Sequence, residues 1–328
     1  DDAICLTVSF LIFQNVMKCI LVTGGTGLVG SALQSIHNRH SDYKYVFLSS
    51  NDCDLINYQE TMHCFEKHKP DYVIHLAANV GGLYKNLNNK VEMFESNLQM
   101  NMNVLKICHI LKVQKVISCL STCIFPDNTT YPINEEMLHN GAPHYSNDAY
   151  AYAKRMLEVQ SKAYQEQYGD DFICIIPTNI YGENDNYSLE NGHVVPSLIH
   201  KCYIAKENNV PFIVRGTGKP LRQFIYAKDL AELIMWVLEK YEEKDSIILS
   251  VGEKDEVSIE NVARLIARCY DYEDMIEFDE SFSDGQYKKT ANNNKLLELY
   301  PEFDFTRIET GIEKSIEWFK CNYASCRK

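Results

Sequence analysis

The chain has 328 residues, of which 45% are hydrophobic, so it is long enough for two lobes or for one large α/β domain. Its formal net charge is −13, from 32 basic and 45 acidic side chains, and it contains no block of lysine or arginine. Such a chain is a poor candidate for binding nucleic acid or an anionic membrane, although helix N-termini and a few local cations suffice for a phosphate ligand.

Twelve cysteines are scattered along the chain, without a CxxC pair or the Cys/His spacing of a zinc site. A chain of this length does not depend on disulfides to build a core. We therefore expect reduced thiols, no metal centre and a cytoplasmic location.

Residues 1–16 stand apart from the pattern that follows. The apolar run 6–13 lacks a basic flank before it and a small-residue cleavage site after it. It is also shorter than the ~20 residues that a helix needs to span a bilayer. We expect Met17 to be the natural start and residues 1–16 to be an upstream or added segment; a membrane anchor is the alternative.

From residue 17 onward, apolar runs typical of buried strands alternate with segments of helical period. Strands are predicted at 19–23, 45–49, 72–76, 115–120 and 172–176. Helices are predicted between them at 28–38, 58–68, 91–111 and 150–168. This order predicts an α/β fold with a doubly wound parallel sheet of the Rossmann type, joined by right-handed crossovers.

After residue 181 the alternation loosens. The sequence predicts a polar, turn-rich segment at 183–192, helices at 193–205 and 229–241, a turn within 212–222, and a strand at 247–251. We therefore predict a dinucleotide-binding domain in residues 17–181, and we expect the chain to re-enter this domain near residues 225–251. A second, smaller lobe that binds substrate is predicted mainly in residues 182–328.

A glycine-rich loop follows the first strand and opens the first helix. Gly25, Gly27 and Gly30 satisfy the spacing G-x-G-x-x-G, in which the glycines allow a tight turn, close approach to a pyrophosphate and close helix packing. The helix N-terminus adds free N–H groups and a positive dipole end. We predict dinucleotide binding by the whole loop: Gly24, Gly25, Thr26, Gly27, Leu28, Val29 and Gly30.

The end of the second strand bears on the choice of dinucleotide. An NAD site needs Asp or Glu there, about 20 residues past the glycines, to bind the ribose 2′-hydroxyl. This chain has Ser49, Ser50 and Asn51 at that place. We predict NADP(H), with Ser50 and Asn51 at the 2′-phosphate, mainly because no carboxylate repels that group.

Tyr150 and Lys154 lie four residues apart near the start of a predicted helix, so both point to the same side. A nearby ammonium stabilises a phenolate and lowers its pKa towards a range useful for acid–base catalysis. Ser121 follows the predicted strand 115–120, and the carboxyl ends of parallel strands line the ligand crevice. These three residues are candidate catalytic groups.

The glycine loop, the serine and the tyrosine–lysine pair, in this order, resemble the short-chain dehydrogenase/reductase family. The segment 75–78 (HLAA) resembles its extended branch, which acts on nucleotide sugars. Within that branch, the chain is similar from about residue 18 to its end to epimerase-reductases of a GDP-linked 4-keto sugar. The similar stretches are 77–82 (AANVGG), 120–126 (LSTCIFP), 177–182 (PTNIYG), 192–196 (GHVVP) and 222–224 (RQF).

The resemblance implies GDP-4-keto-6-deoxy-D-mannose as the substrate and two reactions in one site. The C4 ketone acidifies the hydrogens at C3 and C5, so an acid–base pair can invert both carbons. Cys123 and His193 match that pair, and the sequence leaves open which of them donates and which abstracts. Reduction of C4 by NADPH follows, in which Tyr150 protonates the alkoxide, Ser121 hydrogen-bonds its oxygen, and Lys154 lowers the tyrosine pKa and holds the nicotinamide ribose.

The same resemblance implies further contacts. Cofactor contacts fall on Leu76, Ala77, Ala78, Tyr150, Lys154, Pro177, Thr178, Asn179, Ile180 and His193. Substrate contacts fall on Asn179, Lys201, Arg215, Arg222 and Asp284, of which the arginines suit a diphosphate because a guanidinium pairs bidentately with oxygens. Two positions depart from the pattern of the family. Arg215 stands where the family has a tryptophan in the guanine pocket, and Asn51 stands where a basic residue would suit a 2′-phosphate.

Another nucleotide-sugar epimerase or dehydratase of the extended branch is the main alternative. A 4-epimerase retains NAD, has no need of the Cys123 and His193 pair, and should end its second strand in an acidic residue. A dehydratase should carry a carboxylate pair near Ser121, where this chain has Thr122 and Cys123. A catalytically inactive scaffold that senses dinucleotide is a third possibility, against which the intact serine, tyrosine and lysine count.

The helices predicted at 91–111 and 150–168 carry more apolar residues than one buried stripe requires. These are Phe94, Leu98, Met102, Leu105 and Ile110 in the first, and Met156, Leu157, Val159 and Tyr164 in the second. Two copies of this helix pair, related by a two-fold axis, would form a four-helix bundle. Members of the family that the chain resembles form dimers in this way. We expect a homodimer; the alternative is that the same chain covers these faces.

Overall fold

Strands and helices alternate along the first half of the chain, as the sequence predicts. The computed structural model describes residues 17–284 and 286–328, so the predicted upstream segment 1–16 lies outside the described residues. The strands are β1 (Lys18–Thr23), β2 (Tyr43–Leu48), β3 (Tyr72–His75), β4 (Lys115–Cys119), β5 (Phe172–Pro177), β6 (Asn179–Tyr181), β7 (Phe212–Arg215), β8 (Leu221–Arg222), β9 (Phe224–Tyr226), β10 (Ile247–Leu249), β11 (Val257–Ser258) and β12 (Ile276–Asp279). The helices are α1 (Leu28–Ile36), α2 (Tyr58–His68), α3 (Leu83–Asn88), α4 (Lys90–Ile110), α5 (Asp148–Tyr168), α6 (Val194–Asn208), α7 (Ala227–Lys240), α8 (Ile259–Cys269), α9 (Asn294–Leu299) and α10 (Ile308–Cys321).

Within the described residues, six strands form one parallel sheet in the order β10-β5-β4-β3-β1-β2. Thr23, the last residue of β1, pairs with Leu48 on one side and with His75 on the other. The strand order reverses at β1, because β2 lies on one side of it and β3 and the later strands lie on the other. At such a reversal a crevice opens beyond the carboxyl ends of the adjacent strands, here β1 and β3. The predicted doubly wound parallel sheet is confirmed.

Helices cover both faces of this sheet. On one face α2, α4 and α5 pack against it through residues such as Phe65 and Leu157. On the other face α1 and α7 pack through residues such as Leu33 and Leu230. Because neither face meets water, every residue of β1 after the first is buried, which is the pattern of a central parallel strand.

A third apolar cluster forms the core of a second lobe. There α6, α8 and α10 contribute Ile199, Ile266 and Phe319, all completely buried. The strand pairs β7–β12, β6–β9 and β8–β11 lie outside the main sheet. Helix α7 and strand β10 belong to the first lobe, and so does α9, whose Leu296 packs into the α1 and α7 cluster.

The structure differs from the predicted elements in two main ways. Helix α3, the strands β6 to β9 and the elements after β10 were not predicted, and α1 ends at Ile36, where a short 3-10 turn (His37–His40) continues the chain. None of the helices within residues 17–284 and 286–328 combines the length and the hydropathy that a membrane-spanning helix needs.

Candidate active site

The glycine loop joins β1 to α1 and lies against the end of β3. Gly24 has a φ of +67°, and a Cβ placed there would lie 2.8 Å from the Ala77 backbone nitrogen. A Cβ on Gly30 would lie 2.4 Å from the Gly25 carbonyl oxygen. Only glycine allows these close backbone contacts. They leave the backbone of the loop and the N-terminus of α1 facing the side where a ligand can bind. The cradle fits the pyrophosphate of a dinucleotide, as the sequence predicts.

The loop after β2 lies beside the glycine loop, since the Gly25 N–H donates to the Leu48 carbonyl at 2.7 Å. Ser50 and Asn51 are both exposed there. The next residue, Asp52, is a carboxylate that the sequence analysis did not weigh. The Ser49 hydroxyl and N–H donate to Asp52 Oδ2 at 2.6 and 2.8 Å, and these bonds lower the pKa of Asp52. The Asp52 carboxylate therefore binds Ser49 and stabilises the loop after β2.

A buried histidine anchors the segment that follows β3. His75 lies between the Thr23 hydroxyl and the Asn101 side chain, at 2.7 and 3.0 Å, and its burial lowers the pKa of His75 to about 3. The Thr23 hydroxyl also accepts a hydrogen bond from the Ala77 N–H at 3.3 Å. A neutral imidazole thus helps to hold the predicted cofactor contacts 76–78 against the glycine loop.

Four predicted catalytic side chains come together at the carboxyl end of β4. Ser121 follows the strand, and its Oγ accepts a hydrogen bond from the Cys123 N–H at 3.4 Å. On α5, the Lys154 ammonium lies 5.9 Å from the centre of the Tyr150 ring. The same ammonium donates to the Cys119 carbonyl at 2.8 Å, which fixes its position at the strand end.

Burial controls the electrostatics of this cluster. It raises the pKa of the Tyr150 phenol well above its usual range, and the neighbouring Cys123 and Cys119 add to that shift. Burial also raises the pKa of the Cys123 thiol, against the opposing effects of the Ser121 hydrogen bond and of nearby ammonium groups. Burial therefore opposes the lowering of the tyrosine pKa that the nearby Lys154 ammonium predicts. The phenol is therefore held protonated and can act as a proton donor.

His193 follows the polar loop predicted at 183–192 and immediately precedes α6, which begins at Val194, one residue later than predicted. Its side chain is 56% exposed, and its Nδ1 atom lies 4.0 Å from Oδ1 of Asp185. A Cβ on the preceding residue, Gly192, would lie 2.5 Å from the Ser188 carbonyl oxygen, so only glycine fits this turn. The imidazole is thus accessible to a ligand and is carried by a tightly closed loop.

The motifs PTNIYG and RQF, far apart in sequence, meet beside β5 and β10. The Asn179 side-chain amide donates to the Gln223 carbonyl at 2.9 Å, and Asn179 pairs with Phe224 in the β6–β9 ladder. The Thr178 and Ser250 hydroxyls lie 3.1 Å apart. Predicted contacts of the cofactor and of the substrate are therefore joined at the boundary of the two lobes.

Two predicted substrate contacts, Lys201 and Arg215, lie near one another in the second lobe. Burial lowers the pKa of Lys201, and the Arg215 charge adds to this shift. The Arg215 guanidinium, where the family has a tryptophan, lies 4.6 Å from the centre of the Phe282 ring. Asp284 is engaged elsewhere: its carboxylate accepts hydrogen bonds from the Thr217 N–H and hydroxyl at 2.7 and 2.6 Å. It therefore shapes the turn after Arg215.

Arg222 lies on β8, and its guanidinium is held by backbone carbonyls. It donates to those of Leu221 and Gln286 at 2.7 and 2.6 Å. Burial lowers the pKa of Arg222, opposed by the charge of Glu256. A guanidinium that is fixed in this way is preorganised to bind an anion.

Lys289 belongs to the same region, although the sequence analysis did not single it out. It lines a small cavity together with Cys123, Asp127 and Tyr131. Its ammonium makes no hydrogen bond or ion pair within residues 17–284 and 286–328, and burial lowers the pKa of Lys289. It stands in a polar stretch without periodicity, so the sequence carries no signal that would have placed it beside Cys123.

The chain is similar to known proteins along most of its length. The profile of the NAD dependent epimerase/dehydratase family matches residues 20–252. A GDP-L-fucose synthase of Dictyostelium discoideum is 54% identical over 313 residues, which are 95% of this chain and 98% of that protein. A probable GDP-L-fucose synthase of Drosophila melanogaster is 48% identical over 321 residues, 95% of this chain and 100% of that protein. A crystal structure of a Naegleria fowleri GDP-L-fucose synthetase bound to NADP matches with a TM-score of 0.91 and 48% identity, over 95% of each chain.

Proposed function

The chain belongs to the NAD dependent epimerase/dehydratase family, and we propose that it converts GDP-4-keto-6-deoxy-D-mannose to GDP-L-fucose with NADPH. The reaction combines epimerisation at C3 and C5 with reduction at C4. The observation that carries the proposal is the Cys123 thiol beside Tyr150 and Lys154. A tyrosine–lysine pair serves a reductase, whereas the thiol adds a proton-transfer group that reduction alone does not need.

Cys123 and His193 carry the epimerisation. One of them removes the proton at C3 or C5, and the electron pair of the broken C–H bond moves into an enolate at C4. The other delivers a proton to the opposite face of the same carbon, which inverts it. The Ser121 oxygen accepts the Cys123 N–H, so its own O–H is free to donate to the enolate oxygen.

Tyr150 and Lys154 carry the proton transfer of the reduction. The chemistry that bound NADPH supplies is donation of a hydride to C4. Tyr150 is held protonated by burial and gives its proton to the alkoxide that forms. Lys154, fixed by the Cys119 carbonyl, stabilises the phenol oxygen as the proton leaves and holds the nicotinamide ribose.

The two lobes divide the ligands between them. Residues 17–181, with the returns near 225–251, hold the dinucleotide, and residues 182–328 mainly hold the GDP-sugar. The glycine cradle supports the first assignment. The half-buried Lys201 and Arg222 support the second because they supply cations for a diphosphate. We assign Arg215 to the guanine base, on which a guanidinium plane can stack.

The function is tested by mixing the enzyme with NADPH and the 4-keto sugar nucleotide and identifying the product by NMR. We expect GDP-L-fucose. A reduced product with unaltered configuration at C3 and C5 would show that the protein is a C4 reductase without epimerase activity. No oxidation of NADPH would contradict the proposal altogether.

We expect NADPH to be preferred over NADH. A carboxylate introduced at the loop after β2, by Ser50→Asp or Asn51→Asp, should repel a 2′-phosphate and shift the preference towards NADH, by about tenfold or more for a loss of about 1.4 kcal/mol. The ratio of kcat/KM for the two cofactors measures this shift. A neutral control, Asn51→Ser, should retain the preference of the wild type. Equal efficiency of the wild type with both cofactors would contradict the assignment.

We also propose a homodimer through a four-helix bundle of α4 and α5. Met102 and Ile110 of α4 are each 46% exposed, and Val159 of α5 is 43% exposed, which leaves an apolar surface on adjacent helices. Leu105 and Leu157, predicted on this surface, are completely buried in the core of the first lobe, so they are not part of it.

Light scattering at micromolar concentration should report about twice the chain mass of 37.8 kDa. The double variant Met102→Glu, Val159→Glu should be monomeric, because the two-fold axis brings like charges together in an apolar interface. Val210→Glu, at a residue 46% exposed elsewhere, is the matched control and should remain dimeric. A monomeric wild type would rule out the bundle.

A cytoplasmic location is proposed on the state of the thiols. All the cysteines within the described residues are unpaired, and several lie in the core. Reduced, buried thiols suit a reducing compartment.

A further inference from the structure

Asp185 is a buried carboxylate to which the reaction described above gives no role. It lies in the loop before α6, its side chain is 4% exposed, and its Oδ1 atom lies 4.0 Å from Nδ1 of His193. Oδ1 also accepts a hydrogen bond from the Asn186 N–H at 2.7 Å. Oδ2 is buried and has no hydrogen-bond partner in the described parts of the chain. One oxygen of this carboxylate is therefore left without a donor.

An unpaired buried carboxylate is costly, and only a few groups oppose that cost here. Burial raises the pKa of Asp185 to about 6, and the charge of His193 is the largest effect in the opposite direction. The Asn186 N–H and the Arg327 guanidinium also favour the charged form. The guanidinium itself donates to the Asn184 carbonyl at 2.7 Å. His193 is thus the main partner available to the carboxylate.

Hydrogen bonds within the loop between Asp185 and His193 hold the two residues near each other. The Gly192 N–H donates to the Ser188 carbonyl at 3.0 Å, and the Asn186 side-chain oxygen accepts from the Ser188 N–H at 3.1 Å. The Tyr187 N–H donates to the Arg327 carbonyl at 2.8 Å, which ties the loop to the C-terminal segment. These hydrogen bonds hold Asp185 in place beside the exposed imidazole of His193.

We propose that Asp185 is the positioning residue of His193: its carboxylate accepts the Nδ1–H of the imidazole and directs Nε2 towards the sugar. The inference rests on the proposed function, because it assigns a partner to the proposed proton-transfer histidine. A rotation of the ring that shortens the 4.0 Å separation by about 1 Å reaches hydrogen-bond distance. A carboxylate on one ring nitrogen fixes the tautomer and stabilises the imidazolium.

This arrangement serves either direction of proton transfer. When His193 donates, its Nε2–H bond breaks, a C–H bond forms on the enolate carbon, and the N–H electron pair stays on Nε2. When it abstracts, the same steps run in reverse and yield the imidazolium. The Nδ1–H remains on the ring in both cases, so Asp185 does not take up a proton and acts only through His193.

The test uses Asp185→Asn in the full chain, with deuterium uptake at C3 and C5 of the substrate as the readout. The amide keeps an oxygen for the Asn186 N–H but removes the charge. We expect uptake to fall by roughly 10²-fold. In a His193→Gln background the same change should have no further effect. Asp170→Asn is the matched control, because Asp170 pairs with His109 at 2.6 Å and lies just before the amino end of β5, so its uptake should equal that of the wild type.

A second measurement needs no variant at Asp185. In wild-type protein labelled with ¹⁵N-histidine, the His193 signal, assigned by its loss in His193→Gln, should report the Nδ1–H tautomer when the ring is neutral. A predominant Nε2–H tautomer would overturn the proposal. So would undiminished uptake in Asp185→Asn, or an equal further loss in the His193→Gln background.

The two levels of inference fail differently. A wild type that takes up no deuterium at C3 and C5 contradicts the proposed function itself. A wild type that takes up deuterium normally, together with an Asp185→Asn variant that matches it, contradicts only the role of Asp185.

Discussion

The variant Tyr150→Phe is expected to lose C4 reduction by about 10²- to 10⁴-fold while still exchanging the C3 and C5 protons. In the proposed reaction the phenol is the proton donor to the C4 oxygen, and phenylalanine keeps the ring but removes that proton. The proposed exchange depends on Cys123 and His193, which the change leaves in place. The expected result is therefore a separation of two reactions that share one site.

The separation is measured in two assays of the same protein. NADPH oxidation reports reduction, and deuterium uptake in D₂O without NADPH reports exchange. Tyr152→Phe, two residues along α5 and on its exposed side, is the matched control and should retain both activities. Loss of exchange in Tyr150→Phe with normal substrate binding would show that the phenol serves both reactions.

The first lobe was readable from the sequence because its signals are local. Buried parallel strands appear as short apolar runs, and a strand–glycine loop–helix sequence defines the pyrophosphate cradle without any long-range contact. The juxtaposition of Ser121 with Tyr150 and Lys154 also follows from local rules, since one residue ends a strand and the other two share a helix face.

The second lobe was read less well because its contacts join distant segments. Helix α8 carries Val262 and Ile266 at helical spacing, so its periodicity was a usable signal that the sequence analysis missed. Nothing comparable marks Lys289, whose approach to Cys123 depends on the whole chain fold. Asp185 is similar: in the sequence it is one polar residue in a turn, and only its burial and its distance to His193 distinguish it.

The direction of the tyrosine pKa also required the structure. A lysine four residues away predicts a lower pKa, because an ammonium stabilises a phenolate. The sequence does not show how deeply the phenol is buried, and burial raises the pKa of Tyr150 here. The balance between a local charge and desolvation is therefore a property of the fold.

The variant Cys123→Ser is expected to lose deuterium uptake at C3 and C5 by about 10²-fold or more. A serine hydroxyl is similar in size to a thiol but is a far weaker acid, so it donates its proton less readily and provides almost no ionised form to act as a base. The hydrogen bond from the backbone N–H at this position to Ser121 Oγ does not depend on the side chain, so the local turn should persist. Slow reduction of the unepimerised ketone should remain and give a different deoxysugar, which NMR identifies. His193→Gln should behave in the same way.

Cys269→Ser, at a half-buried thiol of the second lobe, is the control and should exchange like the wild type. Normal GDP-L-fucose output from Cys123→Ser would remove the thiol from the mechanism. The pH dependence of wild-type exchange then assigns the direction of proton transfer. Burial raises the pKa of Cys123 above its usual range, so the fraction of thiolate increases as pH rises through the alkaline range. An exchange rate that increases with pH over this range assigns proton abstraction to Cys123, and a rate that decreases assigns it proton donation.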